Sequence, residues 1–153
     1  MKSNERKRGF ARAMIVALSL LTLGFITPVV AAAPAQALTN VGTSSGVEAR
    51  CNSSSYYLCL YYNSTMTTAW WGTSVSVPDL AGRTFFANTG AGSGQAVKNN
   101  AAAVSCDASS TSICYIFFNN GYSGPTDWLY GQRRGRLIET YNENASVRIS
   151  FGP

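Results

Sequence analysis

The chain has 153 residues, 12 Lys and Arg against 7 Asp and Glu, a formal net charge of +5 and no histidine. Without histidine, neither a Ser-His-Asp nor a Cys-His arrangement can form, which removes the commonest routes to nucleophilic catalysis. What the positive charge means depends on where it lies along the chain.

It lies first in a leader. Lys2, Arg6, Lys7, Arg8 and Arg12 precede an apolar run from Ala13 to Ile26, and a small-residue stretch ends at Ala35-Gln36-Ala37. A basic start, an apolar middle and an A-x-A end, in that order, make a secretory signal peptide, so residues 1–37 are expected to be cleaved off between Ala37 and Leu38. A membrane-spanning helix would need about 20 predominantly apolar residues, and Gly24, Thr27-Pro28 and Pro34 interrupt this run. Cleavage removes five of the 12 basic residues and one of the 7 acidic ones, leaving seven against six. The basicity therefore belongs to the export signal. Nucleic-acid binding wants a basic stripe, and the cluster that remains, Arg133, Arg134 and Arg136, is expected on a solvated, Gly-flanked loop. No nucleic-acid partner is expected, nor membrane association once the leader is gone. Removing 37 of the 153 residues leaves 116, enough for one domain with a modest core.

Residues 38–49 are expected to form a flexible segment before a domain spanning 50–153. That domain is rich in aromatic and turn-forming residues and has no long window of 3.6-residue apolar periodicity. Runs at 58–62, 73–77, 113–118 and 145–151 are β-branched or aromatic and bounded by Asn, Gly, Ser or Pro, as strands are. The last alternates Val147, Arg148, Ile149, Ser150, Phe151, which implies one buried face and one wet face. An antiparallel all-β domain follows.

Cys51 and Cys59 are separated by seven residues, and so are Cys106 and Cys114, all in the exported part, where disulfides persist. Four cysteines allow three pairings. The repeated local spacing favours Cys51 with Cys59 and Cys106 with Cys114, since a loop of that size can return as a hairpin within bridging range. A zinc site would want C-x₂-C pairs or histidine, and neither is present. No metal or cofactor is expected.

The cysteines also open an internal repeat. After Cys59 come Leu60-Tyr61-Tyr62-Asn63, Trp70-Trp71, Leu80 and Asn99-Asn100-Ala101-Ala102-Ala103-Val104. After Cys114 come Tyr115-Ile116-Phe117-Phe118-Asn119, Trp128, Leu137 and Asn142-Glu143-Asn144-Ala145-Ser146-Val147. Trp71 to Leu80 and Trp128 to Leu137 share one spacing, and the first half carries an extra loop around Thr84 to Gly94. Two related units are expected, at about 50–105 and 106–153, with the tryptophans packing in the core rather than stacking on a ligand.

Phe117, Tyr122 and Gly124 fit the aromatic, four residues, aromatic, any residue, Gly pattern of βγ-crystallin Greek keys, in which the Gly permits a folded hairpin that the aromatics cover. The first half departs from it, with Met66 and Thr68 at the corresponding places after Tyr61, so its hairpin must be capped differently. Together with the leader, the Cys-x₇-Cys-Leu-Tyr-Tyr-Asn opening and the Asn-x-x-Ala-Ser-Val ending, the chain resembles the small secreted bacterial peptidase inhibitors of the metalloproteinase-inhibitor type. The resemblance spans about residues 50–151.

It implies a βγ-crystallin-like double Greek-key β-sandwich with two disulfides, and tight binding to an extracellular protease, metalloproteases foremost, through an exposed disulfide-held loop. The inhibitory segment it implies is Cys106, Asp107 and the residues up to Cys114. Asp107 departs from the pattern, since thermolysin-like enzymes favour an apolar residue just after the scissile bond. The alternative is a secreted crystallin-type module that is antimicrobial or binds a cell surface, with weak calcium binding. The related calcium motif asks for two Asn or Asp, two variable residues, then Ser or Thr and Ser, supplying oxygen ligands from one loop. Asn99-Asn100 runs on to Ala103-Val104, and Asn142 to Val147 keeps Ser146 but loses the last hydroxyl; both read as turn-forming asparagine. Glu48, Asp79, Asp107, Asp127, Glu139 and Glu143 could supply acid/base pairs, but they are scattered along the chain, and no enzymatic activity is expected.

Overall fold

A computed structural model describes residues 40–153, and of residues 42–45 the backbone alone. The expected signal peptide, 1–37, and its cleavage point at Ala37 and Leu38 lie outside the described residues. In chain order the elements are β1 (Gly42–Ser45), a single helical turn α1 (Ala49–Asn52), β2 (Leu58–Tyr61), β3 (Trp70–Thr73), β4 (Ala103–Cys106), β5 (Ile113–Asn119), β6 (Ser123–Tyr130), β7 (Arg133–Arg136) and β8 (Ser146–Ser150). All pairings are antiparallel, in one sheet of order β1-β7-β4-β2-β3 and another of order β6-β5-β8.

The two sheets are joined by an exchange. β5, β6, β7 and β8 are consecutive, yet β7 leaves its own unit and pairs with β4 in the other sheet. Reciprocally, Val77, which follows β3, leaves the first unit and exchanges both backbone hydrogen bonds with Val147 of β8, at 2.8 and 3.0 Å. Each four-strand unit thus places its third strand in the sheet of the other, so neither closes its core alone. The pseudo-twofold relation extends into the connections. Leu80 N–H donates to Ala145 O as Leu137 N–H donates to Ala102 O, and Asn99 N–H donates to Asn144 O as Asn142 N–H donates to Ala101 O. The expected repeat is real in these segments. Leu58, Leu60, Trp71, Leu80, Phe85, Val97, Val104, Ile116, Leu129, Leu137 and Val147 fill the space between the sheets. In β8, Val147 and Ile149 point inward while Arg148 and Ser150 are exposed, the alternation read from the sequence.

Both predicted disulfides are present, Cys51 to Cys59 and Cys106 to Cys114, each with Cα atoms 5.9 Å apart. They are not, however, equivalent. Tyr61 sits opposite Ala103 in the first unit as Phe117 sits opposite Ser146 in the second. By that register the counterpart of Cys59 is Tyr115, and the counterpart of Cys114 is Leu58. Aligning the halves on their cysteines is therefore one residue out, and one residue in a strand changes faces. Cys51 and Cys59 pack with Tyr61, Met66 and Ala103 on the outside of their sheet, whereas Cys106 and Cys114 belong to the core between sheets. The tryptophans part in the same way: Trp71 packs inward, and its counterpart by register is Asp127, not Trp128.

Asp127 fills that inward place as a fully buried carboxylate. It accepts from the backbone N–H groups of Ile138 (3.1 and 3.2 Å), Glu139 (3.3 Å) and Thr140 (2.9 Å) and from the Thr140 hydroxyl (2.7 Å), fixing the turn after β7. One carboxylate thus partners three backbone N–H groups that would otherwise be orphaned, and one hydroxyl.

The two folded hairpins solve one problem with different chemistry. In the second, Tyr122 and Gly124 take left-handed backbone (φ 63° and 84°), and the Phe117 and Tyr122 rings meet edge to face with centroids 5.9 Å apart. Ser146 clamps it, its hydroxyl donating to Asn119 O at 2.7 Å and accepting from Tyr122 N–H at 3.1 Å. In the first, Met66 takes the place and the conformation of Tyr122 (φ 59°), but Ala103 stands where Ser146 would, so no hydroxyl is available. Arg50 does the work instead. Its guanidinium donates to the carbonyls of Met66 and Thr68 and lies over the Tyr61 ring, 5.6 Å from its centroid. This is the different cap that the sequence required.

Three expectations need correction. The strand expected over 73–77 runs over Trp70–Thr73. Thr73 Oγ1 donates to Val75 O and accepts from Val75 N–H, a local turn that competes with the ladder and ends it. Residues 42–45, expected within a flexible segment, pair with β7 as an edge strand. The arginines expected on a loop form β7 itself, where buried Gly135 faces Val104 and lets a strand with no apolar alternation pass between β1 and β4.

Two substitutions test these anchors. Arg50→Ala should lower unfolding free energy by about 2 kcal/mol, the range for charge-assisted hydrogen bonds, while exposed Arg136→Ala changes it by less than about 0.5. Asp127→Ala strands the two buried donors of Thr140 and two part-buried backbone N–H groups, and should cost about 3 kcal/mol. Urea denaturation of each variant measures both.

Candidate functional site

β4 ends at Cys106 and β5 begins at Ile113, so the Cys106–Cys114 bridge closes the connection between the two units into a small loop. Its base is tied into the sheet. Asp107 N–H donates to Tyr57 O at 2.7 Å, and Gln132 N–H donates to Cys106 O at 2.8 Å. Gln132, itself in left-handed backbone (φ 61°), turns its side-chain amide onto Ala108 O (3.1 Å) and onto Asp107 O and Oδ1 (both 3.4 Å). Gly131 packs so closely under the loop that a Cβ there would overlap the carbonyl oxygens of Ser109 and Ala108. On the other side Ser112 is buried, bonds Ser109 Oγ at 2.8 Å, and accepts from Gly152 N–H at 3.4 Å.

These ties separate the segment into two parts. Cys106 and Ala108 are buried, and both polar backbone groups of the Cys106-Asp107 link are hydrogen-bonded. Asp107 is half-buried, and burial raises its carboxyl above the ordinary 3.8, partly opposed by the Gln132 amide. Ser109, Ser110 and Thr111 are exposed. The geometry brings Cys106, Asp107 and Cys114 together as a rigid base and offers a partner the three-residue tip. Phe117, Tyr122 and Gly124 lie at the far end of β5, in the folded hairpin, and have a structural role.

The remaining sequence candidates are dispersed. Asn144 donates to Val97 O and accepts from Ala101 N–H, both at 2.9 Å, while Asn99 and Asn142 take left-handed turns (φ 61° and 57°). Lys98 Nζ is 2.9 Å from Asp79 Oδ1, and the Ala81 N–H, with Lys98, holds the Asp79 carboxyl below its usual range. Glu48 pairs with Arg50 at 3.5 Å. Among the described residues no group of three or more Cys, Asp or Glu is placed to hold a metal ion, and no helix is long and apolar enough to cross a membrane. Sequence reading missed the aromatic neighbours of the loop. Tyr57 and Phe151 are exposed and meet edge to face with centroids 5.5 Å apart. Their signal was faint, since Tyr57 falls just before one strand-like run and Phe151 closes another.

With third strands exchanged between two Greek keys, the architecture is settled. The fold is βγ-crystallin-like. Solved structures that it resembles include a βγ-crystallin from Ciona intestinalis (15% identity, 60% of this chain and 95% of that one, TM-score 0.46). Others are a structure concerning the evolution of the eye-lens βγ-crystallin domain fold (11%, 73% and 100%, 0.49) and IPSE/alpha-1 from Schistosoma mansoni eggs (15%, 63% and 86%, 0.43). No family model and no curated protein matches the chain.

The Asp107 shift has a pH consequence. A carboxyl whose pKa is raised by folding holds its proton more tightly in the folded chain, so it favours folding at low pH, and that contribution is lost as pH rises through the folded value. Asp107→Asn should match the parent below about pH 3.5 and become the more stable of the two as pH rises to about 6. Thermal unfolding across that range checks the sign.

Proposed function

We propose that the domain is exported and acts by binding, as an inhibitor of extracellular proteases, metalloproteases foremost, through the loop closed by Cys106 and Cys114. One observation carries this reading: the exposed tip Ser109-Ser110-Thr111 stands on a base held from every side, by the bridge, by Tyr57, by Gln132 and by the close approach of Gly131. A loop already in its bound shape loses little conformational entropy on docking, and protease–inhibitor pairs reach high affinity at ordinary interface size for that reason. Export fits the two bridges, which persist in oxidising surroundings, and the leader supplies the route.

The test is direct. Purified chain beginning at Leu38 is mixed with several extracellular metalloproteases, thermolysin-like enzymes among them, and peptide hydrolysis is followed over a concentration series. Inhibition is expected below micromolar protein, and Cys106→Ser/Cys114→Ser should weaken it at least about 10-fold by releasing the loop. Unchanged hydrolysis at micromolar protein across the panel would overturn the proposal.

A further inference from the structure

The tip of the disulfide loop is polar and small, whereas binding energy at protein interfaces concentrates in a few large anchors. Among the described residues, the large hydrophobics exposed at the surface are Tyr57 (42%), Val75 (66%), Phe118 (37%), Ile138 (56%), Tyr141 (38%) and Phe151 (60%). Two of them stand directly against the loop. Tyr57 O accepts the Asp107 N–H, and the residue after Phe151, Gly152, packs so tightly on Thr111 that a Cβ would overlap its carbonyl. Val75 comes from the same end of the sandwich: Tyr57 N–H donates to Thr73 O, and the Ser76 hydroxyl accepts from Ile149 N–H at 3.0 Å.

We infer that Phe151, propped edge-on by Tyr57, is the anchor side chain that enters the protease, with Val75 widening the apolar contact and the Ser109-Ser110-Thr111 tip forming its polar rim. This rests on the inhibitory reading and adds to it which residue supplies the affinity and which proteases are taken. The Phe151 ring is exposed yet not free to wander, because Tyr57 meets it on one side and Gly152 fixes its backbone against the loop. An aromatic side chain has few rotamers to lose, so such a ring binds at low entropic cost. Tyr57, Val75, Ser109, Ser110, Thr111 and Phe151 carry no charge. The matching subsite is therefore apolar, and a protease whose specificity pocket is built around a buried carboxylate for Arg or Lys is a poor target.

Four proteins decide the matter against one extracellular metalloprotease with an apolar subsite: the parent chain, Phe151→Asp, Phe151→Leu and, as a control at an exposed apolar residue elsewhere, Ile138→Asp. Phe151→Asp should raise the inhibition constant at least about 30-fold, the effect of losing a hot-spot side chain. Phe151→Leu should stay within about 5-fold and Ile138→Asp within about 3-fold. Unchanged near-ultraviolet circular dichroism in all four confirms that exposed positions were altered without loss of the fold. If the parent inhibits and Phe151→Asp inhibits equally, or if Ile138→Asp is the variant that fails, the anchor is misplaced while the inhibitory reading stands. If the parent inhibits nothing, both fall. Equal inhibition of a protease with an acidic specificity pocket would overturn the selectivity.

Discussion

The exchange of third strands is the constraint on which everything else depends. β7 completes the sheet of the first unit and Val77 lies along β8 of the second, so each Greek key contributes the strand that the other lacks. The residues that the two units bury between the sheets consequently form one shared cluster. It also places the connection between the units, Cys106 to Cys114, at one end of the seam, with the β6–β7 corner at Gly131 and Gln132 folded beneath it. The candidate loop is rigid because the topology delivers its supports there. The bridge adds to a constraint that the sheet pairing already imposes.

Within that shared scaffold the two halves have diverged at the positions where a backbone must be held in an unusual shape. A serine hydroxyl clamps one folded hairpin, and an arginine reaching from the chain before β2 clamps the other. Both supply the same thing, partners for polar backbone groups exposed by a left-handed residue. An arginine can do so from a distance, which frees Ala103 to pack against Tyr61 and Met66. Burial and the neighbouring Glu48 carboxylate push the Tyr61 phenol well above its ordinary pKa, so it stays neutral in that cluster. The inward position taken by Trp71 in one half is taken in the other by Asp127, an apolar filler against a polar organiser. Asp127 is tolerated there because both of its carboxylate oxygens accept hydrogen bonds.

Much of this was legible from sequence because it is written in local chemistry. Strand-like runs, the two cysteine pairs, the folded hairpin at Phe117 to Gly124 and the Leu80/Leu137 correspondence each depend on residues close together in the chain. The cysteine-based alignment of the halves failed by a single residue because spacing along the chain carries no record of which face of a strand a residue occupies. β7 was missed since Arg133-Arg134-Gly135-Arg136 has no apolar alternation to announce it; its pairing is decided by the strands on either side. The part played by Asp127 left no local sign, because its donors lie 11 to 13 residues away. The Tyr57–Phe151 pair joins the beginning of one unit to the end of the other, and such a contact exists only once the sandwich has closed.

By itself, then, the sequence determined the all-β class, the pairing of the four cysteines, the repeat and the hairpin chemistry, since short-range sterics and hydrogen bonding govern each. The tertiary structure alone decided which strands were exchanged, which faces the cysteines and tryptophans took, and which exposed rings came to stand beside the disulfide loop. Those are matters of register and closure, and they are set by burying one continuous core between two sheets, a condition that no local stretch of chain can express.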